Sequence, residues 1–495
     1  MKRIGVVIVL VVVGVGSLTI FRTLTAFEDV QPVPRHNLPQ LSFEIPAVTT
    51  RFSEAIRIPT FSYDDRSRFD ADAFLSFHRH LEQAYPLVHR FSQKTVVNDY
   101  SLVFHLPGAN ERLKPVLFMG HMDVVPIEEV SRAQWSESPM GGAVAGGAIW
   151  GRGTLDDKMG VMALMEAMEM LLTSGARPQR AIYFAFGHDE EVGGFEGAKR
   201  IAEYFESEHL EFAFVLDEGG AVTEGILSAV DRPVAIIGIA EKGYVNIRLT
   251  VNAAGGHSSQ PPAQSAVGIL SRAIVRVEDQ PFPAELTFLD QTFGAIGSYA
   301  GFSQRFGMAN RWLLAPLIER KLLSSPASAA MLRTTTAATM VSGSPKSNIL
   351  PTRATGVVNF RILPGETAQS VRARVQKIVA DERVEVTAEM AIDPSAVSPT
   401  DSWGYHLLAT TIRGFDDDIL VAPYLVPGGT DARYFYSLSP NVYRFVMIRF
   451  NAGTMKRMHG IDEQIAVADY LNAIRFYYAV IGQAMQSELQ LAPIE

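Results

Sequence analysis

A glycine-rich turn, Trp150-Gly-Arg-Gly-Thr-Leu-Asp-Asp-Lys-Met-Gly160, delivers two adjacent carboxylates to the start of a helix-forming segment. Residues 159–172 are rich in Ala, Met, Leu and Glu, and Gly175 stands where a C-terminal stop belongs. An aspartate at a helix start caps free N–H groups and suits the helix dipole. That accounts for one of Asp156 and Asp157. It leaves unexplained the pair itself, the glycines before it and the lysine after it.

The surrounding chain alternates apolar strands with helices. Helices are expected at 70–83, 159–172 and 195–205, and strands at 100–106, 115–119, 180–186 and 212–216. Such alternation gives an α/β fold with a mainly parallel sheet covered by helices. Ligands gather at the C-terminal ends of such strands. The chemistry-bearing residues lie at those ends. Strand 115–119 runs into Gly120-His121-Met122-Asp123, strand 180–186 into Gly187-His188-Asp189-Glu190-Glu191, and strand 212–216 into Asp217-Glu218-Gly219-Gly220. A strand-like run at 442–450 leads to Met458-His459-Gly460.

Taken singly, each piece has a plain structural explanation. A lone histidine is commonly a hydrogen-bonded or surface residue, a Glu-Glu pair a solvated face, and an aspartate after a strand a turn former. Their conjunction is different. With 0 Cys in 495 residues, only nitrogen and oxygen donors are present, as zinc, cobalt or manganese accept. Two histidines and several carboxylates exceed one catalytic ion but suit two ions sharing a carboxylate. Asp123, two residues from His121, is placed to accept the imidazole's second N–H. His188 and Asp189 are expected to be supporting or structural residues.

The N-terminus sets the address. Lys2 and Arg3 precede an uncharged apolar run at 4–21, closed by Arg22. The run is just long enough to span a bilayer, and the leading basic residues place the body outside the cytoplasm. Gly14-Val15-Gly16 offers a signal-peptide reading, with a secreted product. The run continues past that triplet, which favours an uncleaved anchor over 1–27. Residues 28–46, with four prolines, are expected to form an extended linker. A net charge of −9 without a basic stripe excludes nucleic acid as a partner.

The body exceeds a single core. It is expected to divide into a first catalytic part at 47–242, an inserted domain at 243–393 and a second catalytic part at 394–490. The inserted segment reads strand–helix–strand–strand–helix–strand, the order of a ferredoxin-like α+β lid. An excess stretch at about 282–328, with Phe288, Phe293, Phe302, Phe306, Trp312, Leu313, Leu314 and Leu317, suggests extra helices. These are expected to pack onto the lid. A wall for an acyl chain, or membrane contact beside the anchor, is the alternative.

From about residue 45 to 485 the sequence resembles the di-zinc exopeptidases and amidohydrolases that include aminoacylase, glutamate carboxypeptidase, succinyl-diaminopimelate desuccinylase and carboxypeptidase S. The resemblance rests on GHMDVVP, WGRGTLDDKMG, GHDEEVGG, LDEGG, GGHSSQPP, PGGTDARYF and MHGIDE, in the family's order. The carboxypeptidase S branch, which includes enzymes that hydrolyse and condense N-fatty-acyl amino acids, is most similar. The resemblance implies a zinc-exopeptidase-like catalytic domain interrupted by the lid, and two zinc ions per chain with cobalt or manganese as substitutes. It implies Asp156 as bridging ligand, His121 and Asp217 completing one site, and Glu191 and His459 the other. Asp123 would orient His121, Glu190 would act as general base, and His257 would serve the oxyanion. Asn348 and Arg361, with Gly428 and Gly429, would face a substrate's carboxylate. The family commonly has a cis peptide between the paired aspartates. Its dimeric members can share the lid histidine between subunits, so a homodimer through the lid is an expectation. The implied reaction is hydrolysis, reversible in that branch, of an amide to a C-terminal amino acid in an N-acyl amino acid or short peptide. A dipeptidase is the enzyme alternative, and a catalytically dead metal- or peptide-binding protein the non-enzyme one.

Overall fold

The computed structural model describes residues 2–32 and 38–486, so part of the expected linker and residues 487–490 lie outside the described residues. A ten-stranded sheet forms the catalytic body. At its centre Ile182–Gly187, Val116–His121, Val215–Asp217 and Val442–Arg444 lie side by side and parallel. The sheet is mixed: Leu420–Val426 with Val234–Glu241 and Arg449–Phe450 with Val222–Thr223 are also parallel pairs, while both flanks add antiparallel ones. One cause is local. Asn98 and Asp99 take positive φ (48° and 67°), closing a tight hairpin between Gln93–Val97 and Ser101–Leu106, and the second strand then meets Ile182–Gly187 in reverse.

Helices cover the sheet because its central strands are apolar on both faces. Lys158–Thr173 and Val467–Ala484 share one core, in which Met162, Met165 and Met168 meet Leu471, Ile474 and Ile481. On the other face Ile201 and Phe205 of Ala198–Ser207 pack with Leu117, Met119 and Val215. The strand expected over 442–450 is interrupted. It pairs at Val442–Arg444 and again at Arg449–Phe450, while the Phe445 N–H donates to the Asp217 carbonyl (2.8 Å).

The lid sheet is four-stranded and antiparallel, in the order Thr335–Ser342, Arg353–Ile362, Gly243–Asn252, Val384–Ile392. This is the strand order of a ferredoxin-like fold. The alternation of Val245, Ile247, Leu249 and Val251 turns one sheet face onto Ala266–Glu278 and Ala368–Val379, where Leu270, Val371 and Val375 complete the core.

The excess stretch forms four helices, Thr287–Ile296, Phe302–Ala309, Arg311–Leu322 and Pro326–Leu332. They do not take the lid as their main support, contrary to expectation. Phe293, Ile296 and Ala300 instead pack on Val230, Val234, Leu420 and Ala422 at the edge of the catalytic sheet. That edge is apolar, and the insertion covers it together with Phe27. The residues before the expected linker's undescribed part are docked as well. Phe27 meets Phe293 edge to face, and Gln31 bonds to Ala295 and Val421. The helix Lys2–Thr25 is long and apolar enough to cross a membrane over Val6–Thr25.

Candidate active site

The turn at 150–157 places its two carboxylates in different roles. Asp157 caps the helix it precedes: its Oδ1 accepts the Gly160 N–H (3.2 Å) and its Oδ2 the His121 N–H (3.3 Å). Gly120 and Gly160 make room for it, since a Cβ on either would lie 2.7 or 2.4 Å from its oxygens. Asp156 faces the cleft, and the peptide between the two is cis. Its Oδ1 lies 2.9 Å from His121 Nε2 and its Oδ2 lies 3.0 Å from His459 Nε2. One carboxylate therefore spans histidines from opposite ends of the chain.

Each half then gains a further carboxylate. Glu191 lies 3.3 Å from His459 Nε2, and Asp156, Glu191 and His459 form one group of metal-compatible donors. The other group is His121, Asp156 and Glu218. This corrects the expectation of Asp217. The Asp217 Oδ2 accepts the Ala432 N–H (2.8 Å) and so secures a neighbouring loop, while Glu218 reaches the cleft.

Asp123 is fully buried and organises both strand ends. Its carboxylate lies 3.3 Å from His121 Nδ1 and accepts the backbone N–H groups of Glu190 and Glu191 (3.1 Å each). The Asp123 carbonyl also lies 3.0 Å from His121 Nδ1. Glu190 and Glu191 start a short 3-10 turn. Asp189 anchors that turn by accepting the N–H groups of Glu196 and Gly197, and His188 bonds to Ser101 Oγ (2.7 Å) within an aromatic cluster.

Three residues without an assigned sequence role complete the cleft. Arg433 lies 3.4 Å from Glu190 and 3.8 Å from Glu241. Glu241 accepts from Arg444 Nε, Thr430 N and Thr430 Oγ1, which pins the loop carrying Arg433. Asp431 is buried with both carboxylate oxygens lacking a hydrogen-bond partner. The motif GGTDAR was visible in the sequence, but the distant partner Glu241 carries no local signal. Gly429 allows the Arg433 guanidinium to lie against its backbone, where a Cβ would be 3.0 Å away; Gly428 is open.

The lid residues form a separate group. His257 is exposed, on a two-stranded ribbon where Gly256–His257 pairs with Ile349–Leu350. Its Nδ1 bonds to Ser259 Oγ (2.7 Å), and the Asn348 carbonyl accepts the Ser258 N–H (3.1 Å). His257 and Asn348 are therefore neighbours. Among the described residues no hydrogen bond or ion pair joins His257 to the Asp156 groups. Arg361 stacks on Tyr244 (4.8 Å), and burial together with the charge of Arg433 lowers its pKa.

Asp156, Asp157, Glu190, Glu191, Asp217, Glu218 and Asp431 lie close together in and beneath the cleft, and their titration reflects it. Burial pushes Glu218 well above the usual carboxylate range, with Asp156, Asp217, Asp157 and Glu190 adding repulsion. Burial likewise raises Glu190, with Glu191 adding to the shift and His121 and Arg433 opposing it. Asp156 shows the opposite balance: its hydrogen bonds to His121 and His459 overcome burial and lower its pKa. His459 is pushed up to about 10 by Asp156 and Glu191. Glu191 Oε1 is buried with His459 Nε2, at 3.3 Å, as its partner, while both oxygens of Asp431 have none. Excess negative charge, orphaned oxygens and an all-N/O donor set fit divalent cations.

Comparison with known proteins gives the family. Residues 117–483 match the model of Peptidase family M20/M25/M40. The chain belongs to that family. As an M20 member it is a hydrolase of a metal-dependent family, and its relatives support amide hydrolysis. It is 38% identical over 436 residues to "Probable carboxypeptidase S-like 2" of Dictyostelium discoideum, covering 87% of this chain and 84% of the relative. It is 38% identical over 441 residues to "N-fatty-acyl-amino acid synthase/hydrolase PM20D1" of Homo sapiens, covering 87% and 86%. Among solved structures it resembles the M20 family metallo-carboxypeptidase Sso-CP2 from Sulfolobus solfataricus. That likeness has a TM-score of 0.66 at 17% identity and covers 90% of this chain and 100% of the other. Human carnosine dipeptidase 1 shares the fold with a TM-score of 0.61 at 15% identity, covering 90% and 97%.

Proposed function

We propose that this M20 hydrolase is a membrane-anchored di-zinc amidohydrolase, its body outside the cytoplasm, acting on N-acyl amino acids or peptides with a free carboxylate. The observation that carries the reading is Asp156, whose two oxygens each meet one histidine, His121 at 2.9 Å and His459 at 3.0 Å. His121, Asp156 and Glu218 would hold one ion, and Asp156, Glu191 and His459 the other. Two zinc ions there would lower the pKa of a water and polarise the amide carbonyl.

Glu190 is the general base. It is buried with a raised pKa and lies against Arg433, so it can take a proton from water and return it to the leaving amine. Asp123 fixes the His121 ring and the Glu190–Glu191 backbone together, so the base and both half-sites keep one geometry. Arg361 offers the planar fork suited to a substrate carboxylate, with Asn348 beside it in the lid. His257 sits on the same lid and would donate to the oxyanion when the lid, of this chain or of a partner subunit, closes over the substrate. The synthase/hydrolase activity for which the PM20D1 relatives are named supports a fatty-acyl amino acid as substrate, with condensation as the reverse reaction.

The test is a substrate panel on the full chain in detergent: N-acetyl and N-oleoyl amino acids, a Gly-Leu-type dipeptide, and amidated counterparts lacking the carboxylate. Turnover of N-acyl amino acids with loss on amidation is expected. Turnover of unacylated dipeptides alone would replace this reading with a dipeptidase.

A further inference from the structure

The N-terminal apolar helix ends on the insertion. Buried Asn310 donates from Nδ2 to the Thr19 carbonyl and to Thr23 Oγ1 (3.1 Å each), and Arg22 Nε donates to the Ala309 carbonyl (3.0 Å). Thr19 and Thr23 are 4% and 1% exposed, whereas Phe21 and Leu24, on the outer side of the same turns, are each 63% exposed. The seam is polar inside and apolar outside. Water selects the reverse; a hydrocarbon exterior selects this arrangement, because polar groups must then be satisfied within protein.

The same pattern continues beyond the seam. The helix Arg311–Leu322 has no buried residue. Trp312, Leu313, Pro316 and Leu317 share one face by helical spacing, and Trp312, Leu313 and Leu317 are exposed, as is Phe302 of the preceding helix. Arg320 and Lys321 close that face at the last turn. Tryptophan and long basic side chains at the rim of an apolar face match the chemistry of a lipid–water interface.

We propose that Phe302–Ala309 and Arg311–Leu322 rest in the surface of the bilayer crossed by Lys2–Thr25, forming with its last turns one rigid membrane-facing unit. The proposal rests on the reading of the N-terminal helix as an uncleaved anchor. A lipid bilayer is the occupant because the face is continuous with a helix of spanning length, through hydrogen bonds from Asn310 and Arg22. The insertion thereby sets the orientation of the catalytic body on its anchor.

The chain has four tryptophans, and Trp312 is the one on this face. The full chain is reconstituted in phosphatidylcholine vesicles with brominated acyl chains, and its emission is compared with that of the Trp312→Phe variant. Quenching by the bromolipid in the parent chain, lost in the variant, is the expected result. An alkaline wash of the same vesicles reports on the anchor separately. Protein that resists the wash but shows no Trp312-dependent quenching overturns the membrane-facing unit and leaves the anchor standing. Trp312 silent to bromolipid yet shielded from acrylamide marks a protein-covered face and also overturns it. Protein released by the wash removes the anchor and the proposal together.

Discussion

Arg152 donates its guanidinium to Glu463, 311 positions further along the chain, and both side chains are buried. Around this pair the two ends of the catalytic domain are joined. Glu463 also accepts the N–H groups of Gly153 and Leu155, and Arg152 donates to the carbonyls of His459 and Gly460. The turn that presents Asp156 and the loop that presents His459 are thereby one assembly.

Breaking this pair leaves a buried charge without a partner. Glu463→Ala should cost about 3–5 kcal/mol of stability, whereas replacing both partners, Arg152→Met with Glu463→Leu, should recover much of it. Thermal and urea unfolding of the two variants measures this. Equal losses in both would show that the hydrogen bonds to the 153–155 backbone, rather than the charge pair, hold the ends together.

Asp156→Ala should lower metal content at both half-sites together. Glu190→Gln should leave about two metal ions per chain while cutting turnover by about 10²–10⁴-fold. Metal analysis by mass spectrometry, alongside an amide-hydrolysis assay, separates the two. A Glu190→Gln chain with near-normal turnover would remove the base assignment.

The exchange of Asp217 for Glu218 as the cleft-facing carboxylate has its own signature. Glu218→Gln should release one metal ion, and Asp217→Asn should retain both with a modest loss of stability, since its carboxylate holds the Ala432 N–H. Metal titration of the two variants decides it, and the opposite ranking would return the ligand role to Asp217.

Lys242, at the hinge into the lid, donates to the carbonyls of Ala330 and Arg333 (2.8 Å each), and burial lowers its pKa to about 8. A lysine depressed in the folded state penalises folding while protonated. The penalty is present below about 8 and is relieved as pH rises from there toward the unfolded value of 10.5. From this group, stability should rise with pH across that window, and Lys242→Met should flatten the slope. Denaturant midpoints at pH 7.5 and 9.5 for both chains test it; parallel changes would exclude Lys242 as the source.

Much of this site was legible because strand-end chemistry is local. His121 with Asp123 and the pair Glu190–Glu191 sit where an apolar run stops, and the pair Asp156–Asp157 where a helix-forming run starts. The choice between Asp217 and Glu218 was not legible, since adjacent residues leaving a strand face opposite ways and composition does not set the phase. Arg433 and Arg444 were equally silent, because their shared partner Glu241 lies about 200 residues earlier and only the folded sheet brings them together. In the lid, clean alternation in Gly243–Asn252 made the ferredoxin-like order readable. The insertion's support was not readable, because apolar helices carry no mark of which surface they cover. The interrupted strand after Val442–Arg444 was hidden because the run 442–450 is apolar apart from Arg444 and Arg449 and carries no turn residue.

Asp156 meets its two histidines from places far apart in the order of synthesis. A ribosome working from the N-terminus has released His121, Asp156, Glu191 and Glu218 long before His459 and Glu463 emerge. Because Glu463 pins the turn that presents Asp156, both donor groups wait for nearly the full length of the chain. A prematurely terminated product would lack both His459 and the Glu463 pin, which makes the assembled donor groups around Asp156 a mark of a finished polypeptide.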